Sequence, residues 1–350
     1  MEQVVLQKSN LNHWVELMHR GFQVVAPSRV QGEIFFLPHA GQLESDLLCG
    51  IATLPYLPPK DIVFPQSETL FSFTRGAGDI DFSVPDRPPE KRVLLGIRSC
   101  DTVGLNWLDH FYLSNFHDFY YQNRRDPLTL ISIACTQPMK NCFCICCEGG
   151  PFLHPETTAF DIQLVDLEDR YLVECNSEKG KALVDLNRNL FSQPDPSMVE
   201  ARDQAETKSH TRFLQEPTSY MSAAIRRITS NSVPPEVWTE LGERCFDDGG
   251  CTFVCPCCSC FGVGYTAKGE TGCHYRFWDS CDYSGFTREV SGHNPRAEKG
   301  ERFKRRFFHK LSYHYVKKDG RIGCVGCGRC ITACPGEVGM PAVVERLRRG

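Results

Sequence analysis

The sequence predicts an α+β protein, with a larger mixed N-terminal domain over residues 1–230 and a smaller helical domain over residues 231–350. Three observations predict it. Residues 92–174 alternate short apolar runs with stretches of helical spacing. Two proline-punctuated helical segments then follow a polar stretch, near residue 230. Finally, 12 of the 20 cysteines lie beyond residue 244, at short regular spacings that a packed core has no need of.

In chain order, residues 92–97 are a short, mostly apolar run behind Arg92 and read as a buried strand. Residues 102–112 have helical spacing, with Asp101 placed as the N-cap. Residues 128–134 read as a second strand, and residues 161–167 and 171–174 as a hairpin turning at Glu168-Asp169-Arg170. A helix over 179–189 is opened by Asn176-Ser177. Residues 192–210 are polar, with Pro194 and Pro196 at their start, and read as an exposed helix or linker. Helices over 220–228 and 235–244 follow, the second with Pro234 and Pro235 at its first turn.

Composition bounds the function. Hydrophobic residues make up 41% and charged residues 23% of 350, ordinary for a globular protein. No run approaches the length of a spanning helix, and the first residues lack a basic, then apolar, leader, so a cytoplasmic protein without membrane insertion is expected. In that compartment thiols stay reduced, so 20 cysteines point to metal or cluster ligation and not to disulfides. Residues 231–350 hold 18 Lys+Arg against 14 Asp+Glu, leaving 21 against 29 for residues 1–230. A basic module on an acidic partner domain suggests complementary docking faces.

Cys324, Cys327, Cys330 and Cys334 stand as C-x₂-C-x₂-C-x₃-C and are followed by Pro335. That is the ligand run of a bacterial-type ferredoxin site, whose last cysteine usually reaches a second cluster. A second run in the same register spans Cys245, Asp248, Cys251 and Cys255, followed by Pro256, with an aspartate where the second cysteine belongs. Gly326, Gly328, Gly249 and Gly250 let the loop backbone approach the sulfides. The C-terminal part is therefore a helical ferredoxin-like dicluster domain, with an insertion at 256–323. By the crossing rule, one 4Fe–4S cluster takes Cys324, Cys327, Cys330 and Cys255. The other takes Cys245, Cys251, Cys334 and a fourth ligand. Asp248 is in position for that role, as a harder donor than thiolate. A spare thiol (Cys257, Cys258, Cys260 or Cys281) could replace it, or the cluster could be three-iron or absent. Arg302, Lys304, Arg305, Arg306, His309 and Lys310 form a basic stretch in the insertion. It could ease electron addition to an anionic cluster, dock a partner, or be a solvated helix face. A nucleic-acid role is disfavoured by the acidic chain, with pI near 6.3.

Further motifs flank the runs. Arg98-Ser99-Cys100-Asp101, Asp118-Phe119-Tyr120-Tyr121 with Arg124-Arg125, and Cys142-Phe143-Cys144 precede Glu243-Arg244-Cys245 and Cys255-Pro256-x-Cys258-x-Cys260. Trp278-Asp279-Ser280-Cys281 and His309-Lys310-Leu311 lead into Gly326-Cys327-Gly328-Arg329-Cys330. Together these motifs give the chain a resemblance that covers residues 57–334: it resembles the iron–sulfur beta subunit of the cytoplasmic sulfhydrogenase-type, NAD(P)-linked nickel–iron hydrogenases. It is also similar to the electron-transfer subunit of the anaerobic sulfite reductases. The resemblance implies two 4Fe–4S clusters that relay electrons from a flavin subunit handling NAD(P)H to a catalytic subunit, nickel–iron in one case and siroheme in the other. It implies no bond-making chemistry in this chain, where neither paired nickel ligands nor a full dinucleotide fingerprint is visible. Asp248 departs from the family pattern, as do Cys146, Cys147 and Cys257. For Cys100, Cys135, Cys142, Cys144, Cys146 and Cys147 two readings stay open: buried structural thiols or a further metal site. Two other classes compete with electron transfer: an iron–sulfur redox sensor, and a zinc-stabilised interaction module.

Overall fold

Apolar runs without polar alternation fill the centre of a sheet, because both of their faces are covered. A computed structural model describes residues 1–50, 54–85, 88–114, 116–215, 220–315 and 321–349. In chain order its strands are β1 (Glu2–Gln7), β2 (Gln23–Val30), β3 (Glu33–Pro38), β4 (Ser67–Arg75), β5 (Ile80–Ser83) and β6 (Arg92–Arg98). They continue with β7 (Leu128–Ile133), β8 (Ile162–Leu167), β9 (Arg170–Cys175), β10 (Phe191–Ser192), β11 (Phe261–Lys268) and β12 (Thr271–Trp278). The larger sheet has the order β10-β1-β9-β8-β7-β6-β2-β3. Its middle strands β2, β6, β7 and β8 run parallel, and the flanking pairs are antiparallel. The mixed α/β character expected of the N-terminal part is what the structure has.

The expected strands and the hairpin at 162–175 fall within a residue or two of their places. Helix Glu178–Asp185 starts at its expected cap, where Ser177 Oγ accepts from the Gly180 N–H. The polar stretch after residue 192 is one long helix, Pro196–Gln215, anchored by buried Ser209 and Phe213. One local expectation needs correcting. The helix after β6 begins at Ser99, and Asp101 lies in its first turn without capping it. The Asp101 carboxylate is taken instead by a buried guanidinium, that of Arg329.

The insertion departs most from expectation. Its hairpin β11–β12 joins β4 and β5 in a second, four-stranded sheet of order β11-β12-β4-β5. Residues on either side of the expected division near 230 thus share hydrogen-bonded strands, with Arg276 opposite Glu68 and Phe277 opposite Ser67. Arg276 donates to Glu68 (2.5 Å) and to Asp118, and Asp118 also accepts from the Tyr121 N–H (2.8 Å). The Asp118 motif is therefore structural: it clamps the insertion hairpin to the N-terminal part. The insertion's residues 316–320 lie outside the described residues.

The C-terminal part is helical. Helices Met221–Thr229, Pro235–Glu243, Lys299–Leu311 and Met340–Arg349 bury Ile225, Trp238, Phe307 and Val343 in one core, which also takes in Phe143 and Cys147. Helix Lys299–Leu311 turns Arg302, Arg306 and Lys310 inward, so half of the basic stretch is not a solvated face. Spacing of four places these three on one stripe.

Candidate metal centre

The two cysteine runs adopt the same backbone. Gly249 (φ +67°) and Gly328 (φ +79°) are both left-handed, a conformation that glycine takes without steric cost. Each opens a one-turn helix, Gly250–Phe253 or Arg329–Thr332, after which the chain reaches Cys255 or Cys334 and its proline. Asp248 and Cys327 hold equivalent places directly before these glycines.

Around the C-terminal run, the charge on Cys255 bears on Cys324, Cys327 and Cys330. The four thiols expected to share one cluster therefore lie in one neighbourhood. Lys310 Nζ donates to Cys255 Sγ (3.1 Å) and to the Gly323 carbonyl (2.9 Å). Hydrogen bonds from Cys257 and Cys258 hold the Cys255 thiol well below its ordinary value. This loop docks where parallel strands β6 and β7 end, the edge at which open α/β sheets commonly place ligands. Contact is close: a Cβ on Gly326 would meet Cys144 Cα at 2.5 Å, and one on Gly149 would meet the Val325 carbonyl oxygen at 2.1 Å.

The thiols left open in the sequence gather behind this loop. Cys147 hydrogen-bonds Cys324 and lowers its pKa. Cys100 and Cys144 feel the charge of Cys327. Burial pushes Cys100, Cys135, Cys144 and Cys147 up, so as thiols they stay neutral. They pack as small apolar groups against the loop. Cys142 and Cys146 are partly buried beside them.

Cys245, Asp248, Cys251 and Cys334 line one cavity, together with Asp282 and Arg306. Burial raises Cys245 to about 11 and pushes Cys251 higher still. Asp248 is exposed, and its Oδ1 accepts from the Gly250 N–H (2.9 Å). Asp282 is a second carboxylate that sequence reasoning missed. It is buried; its Oδ2 accepts from Cys251 Sγ (3.6 Å), while Oδ1 has no hydrogen-bond partner among the described residues. The spare thiols Cys257, Cys258, Cys260 and Cys281 do not line this cavity. They line another, on the far side of Arg306.

Three cations face these thiols. Lys60, Arg306 and Lys310 are 2%, 5% and 5% exposed and form no salt bridge among the described residues, though Arg306 shares a cavity with Asp282 and burial pulls the Lys60 ammonium below its ordinary pKa. Arg306 donates to the Cys251 carbonyl (3.0 Å), Thr252 Oγ1 (3.1 Å) and Cys258 Sγ (3.8 Å). Lys60 donates to the carbonyls of Thr252 (3.2 Å) and Cys258 (3.1 Å) and lies over the Trp278 ring. A buried charge without a counter-charge costs several kcal/mol. Thiolates around an anionic iron–sulfur group supply that counter-charge, so the residues fit such a group. Nothing in the sequence pattern marked Lys60 as part of this set; its signal was only proximity in the fold.

Residues 244–338 match the family model described as a 4Fe–4S dicluster domain. The chain is similar to the sulfhydrogenase 2 subunit beta of Pyrococcus furiosus, 31% identical over 300 residues, which cover 85% of each chain. This chain belongs to the sulfhydrogenase subunit beta family. It is thus an iron–sulfur, electron-transfer subunit of hydrogenase type, a part of a larger assembly, with iron–sulfur clusters as its cofactors. Among the described residues, no helix is long and apolar enough to cross a membrane.

Proposed function

We propose that this sulfhydrogenase beta-type chain relays electrons between an NAD(P)H-linked flavoprotein subunit and a nickel–iron hydrogenase catalytic subunit. When bound, two 4Fe–4S clusters supply reversible one-electron storage. Cys324, Cys327, Cys330 and Cys255 would hold one of them. Cys245, Cys251 and Cys334 would hold the other, with Asp248 as fourth donor and Asp282 as the nearest alternative. The observation that carries this reading is the pair of buried bases Arg306 and Lys310, which donate to Cys258 Sγ (3.8 Å) and Cys255 Sγ (3.1 Å). Such cations favour the more negative of two redox states, as needed to accept an electron in a dry interior. The donor set around exposed Asp248 lies nearer the surface than buried Cys255, which suits exchange with a partner at that end.

The test is Cys327→Ser in the anaerobically purified complex. NAD(P)H-dependent turnover at the catalytic subunit is expected to fall at least tenfold, while the flavoprotein still oxidises NAD(P)H with artificial acceptors. Unchanged coupled turnover would overturn the relay. Metal analysis of the same preparation reads the partner, since nickel supports a hydrogenase and siroheme absorption a sulfite reductase.

A further inference from the structure

We propose that Cys257, Cys258, Cys260 and Cys281 hold a third 4Fe–4S cluster, beyond the two of the dicluster reading. Cys257, Cys258 and Cys260 lie within one short loop, Cys281 lies 21 residues beyond Cys260, and the hairpin β11–β12 closes that gap. Its register pairs Phe261 with Trp278, which sets Cys260 opposite Asp279 and brings Cys281, two residues further on, back towards it. The Asp279 N–H donates to the Cys260 carbonyl (3.1 Å), and the Cys281 and Cys260 thiols hydrogen-bond each other. Cys257 and Cys258 come from the same short loop, directly after Cys255.

All four thiols line one cavity of about 260 Å³. A cube takes one thiolate for each of its four irons, the number of thiols present here. Cys257 and Cys260 form one C-x₂-C knuckle, but Cys281 has no second cysteine at that spacing, so the paired knuckles of a structural zinc site are incomplete.

Charge points the same way. Arg306 lines both this cavity and that of Cys245. Lys310 lines it as well, and Lys60 binds the backbone carbonyl of Cys258. Lys310 thus faces both Cys255 and this cavity, so its charge serves an anionic group in either. The third cluster would sit beside the first, because Cys257 and Cys258 both touch Cys255.

The experiment is iron and acid-labile sulfide content per chain, with anaerobic native mass measurement, on wild type and on the double variant Cys260→Ser/Cys281→Ser. Wild type is expected to hold three clusters, and the double variant to lose about four irons and four sulfides. Cys273→Ser, on β12 but outside the cavity, should lose none. A wild type with no more than about eight irons, or a double variant with wild-type iron, overturns the third cluster while leaving the dicluster reading standing. Release of one zinc by the double variant overturns it too. Iron-free wild type would instead sink the dicluster reading. If the double variant does not fold, the wild-type native mass alone decides between two clusters and three.

Discussion

Arg329 of the C-terminal cysteine run donates to both carboxylate oxygens of Asp101, at 2.6 and 3.0 Å, with both side chains buried. The pair fastens the cluster loop to the first turn of the helix that follows β6. Breaking a buried pair from one side strands a charge and costs about 3–5 kcal/mol. Asp101→Ala should therefore lower the anaerobic melting temperature and hasten cluster loss on dilution. Asp101→Leu with Arg329→Met should recover much of the loss, because no lone charge remains. Melting curves and iron retention of the three variants check this; a single variant as stable as wild type would show that the pair does not hold the loop.

Asp248 is the donor-set position at which the two runs differ. Asp248→Cys should complete a four-thiolate set and raise iron content by up to about one iron per chain, with a fuller reduced-cubane signal in electron paramagnetic resonance. Identical spectra for the two forms would count against Asp248 as a ligand and turn attention to Asp282.

Lys310 holds a positive charge 3.1 Å from Cys255 Sγ. Its removal in Lys310→Met makes electron addition nearby less favourable. The midpoint potential of the centre it faces should move negative by on the order of 60–100 mV. Redox titration reads the shift, and a potential that moves positive or stays fixed would refute the electrostatic role of this side chain.

Asp61 gives a pH signature away from the thiols. Burial pushes its carboxyl from 3.8 up to about 6, against backbone hydrogen bonds that pull it down. The folded chain therefore holds a proton that the unfolded chain releases. This contribution to stability is full below about pH 3.8 and is lost as the pH rises through 6. Asp61→Asn should raise the melting temperature by about 2 °C at pH 7.5 and by less at pH 5. Equal gains at the two pH values would mean that Asp61 titrates normally.

Much of this was legible in the chain. The apolar strands of the parallel sheet, the hairpin at 162–175 and the two ferredoxin runs depend on local pattern and spacing, which a single sequence displays. The helix start at Ser99 was misplaced because Asp101 looks like a cap; its carboxylate is claimed by Arg329, 228 residues away. Lys60 and Asp282 were invisible for the same reason. A buried lysine or aspartate has no sequence signature until the partners that justify its burial are known.

Sequence alone determined that thiolates would come in two runs of ferredoxin spacing, because loop geometry around a cube is set by a few adjacent residues. Tertiary structure alone decided that β12 pairs with β4, that Cys281 returns to Cys260, and that Arg306 and Lys310 point inward. Those outcomes depend on long-range strand register and on the balance of buried charge. Neither is written in any short stretch of chain.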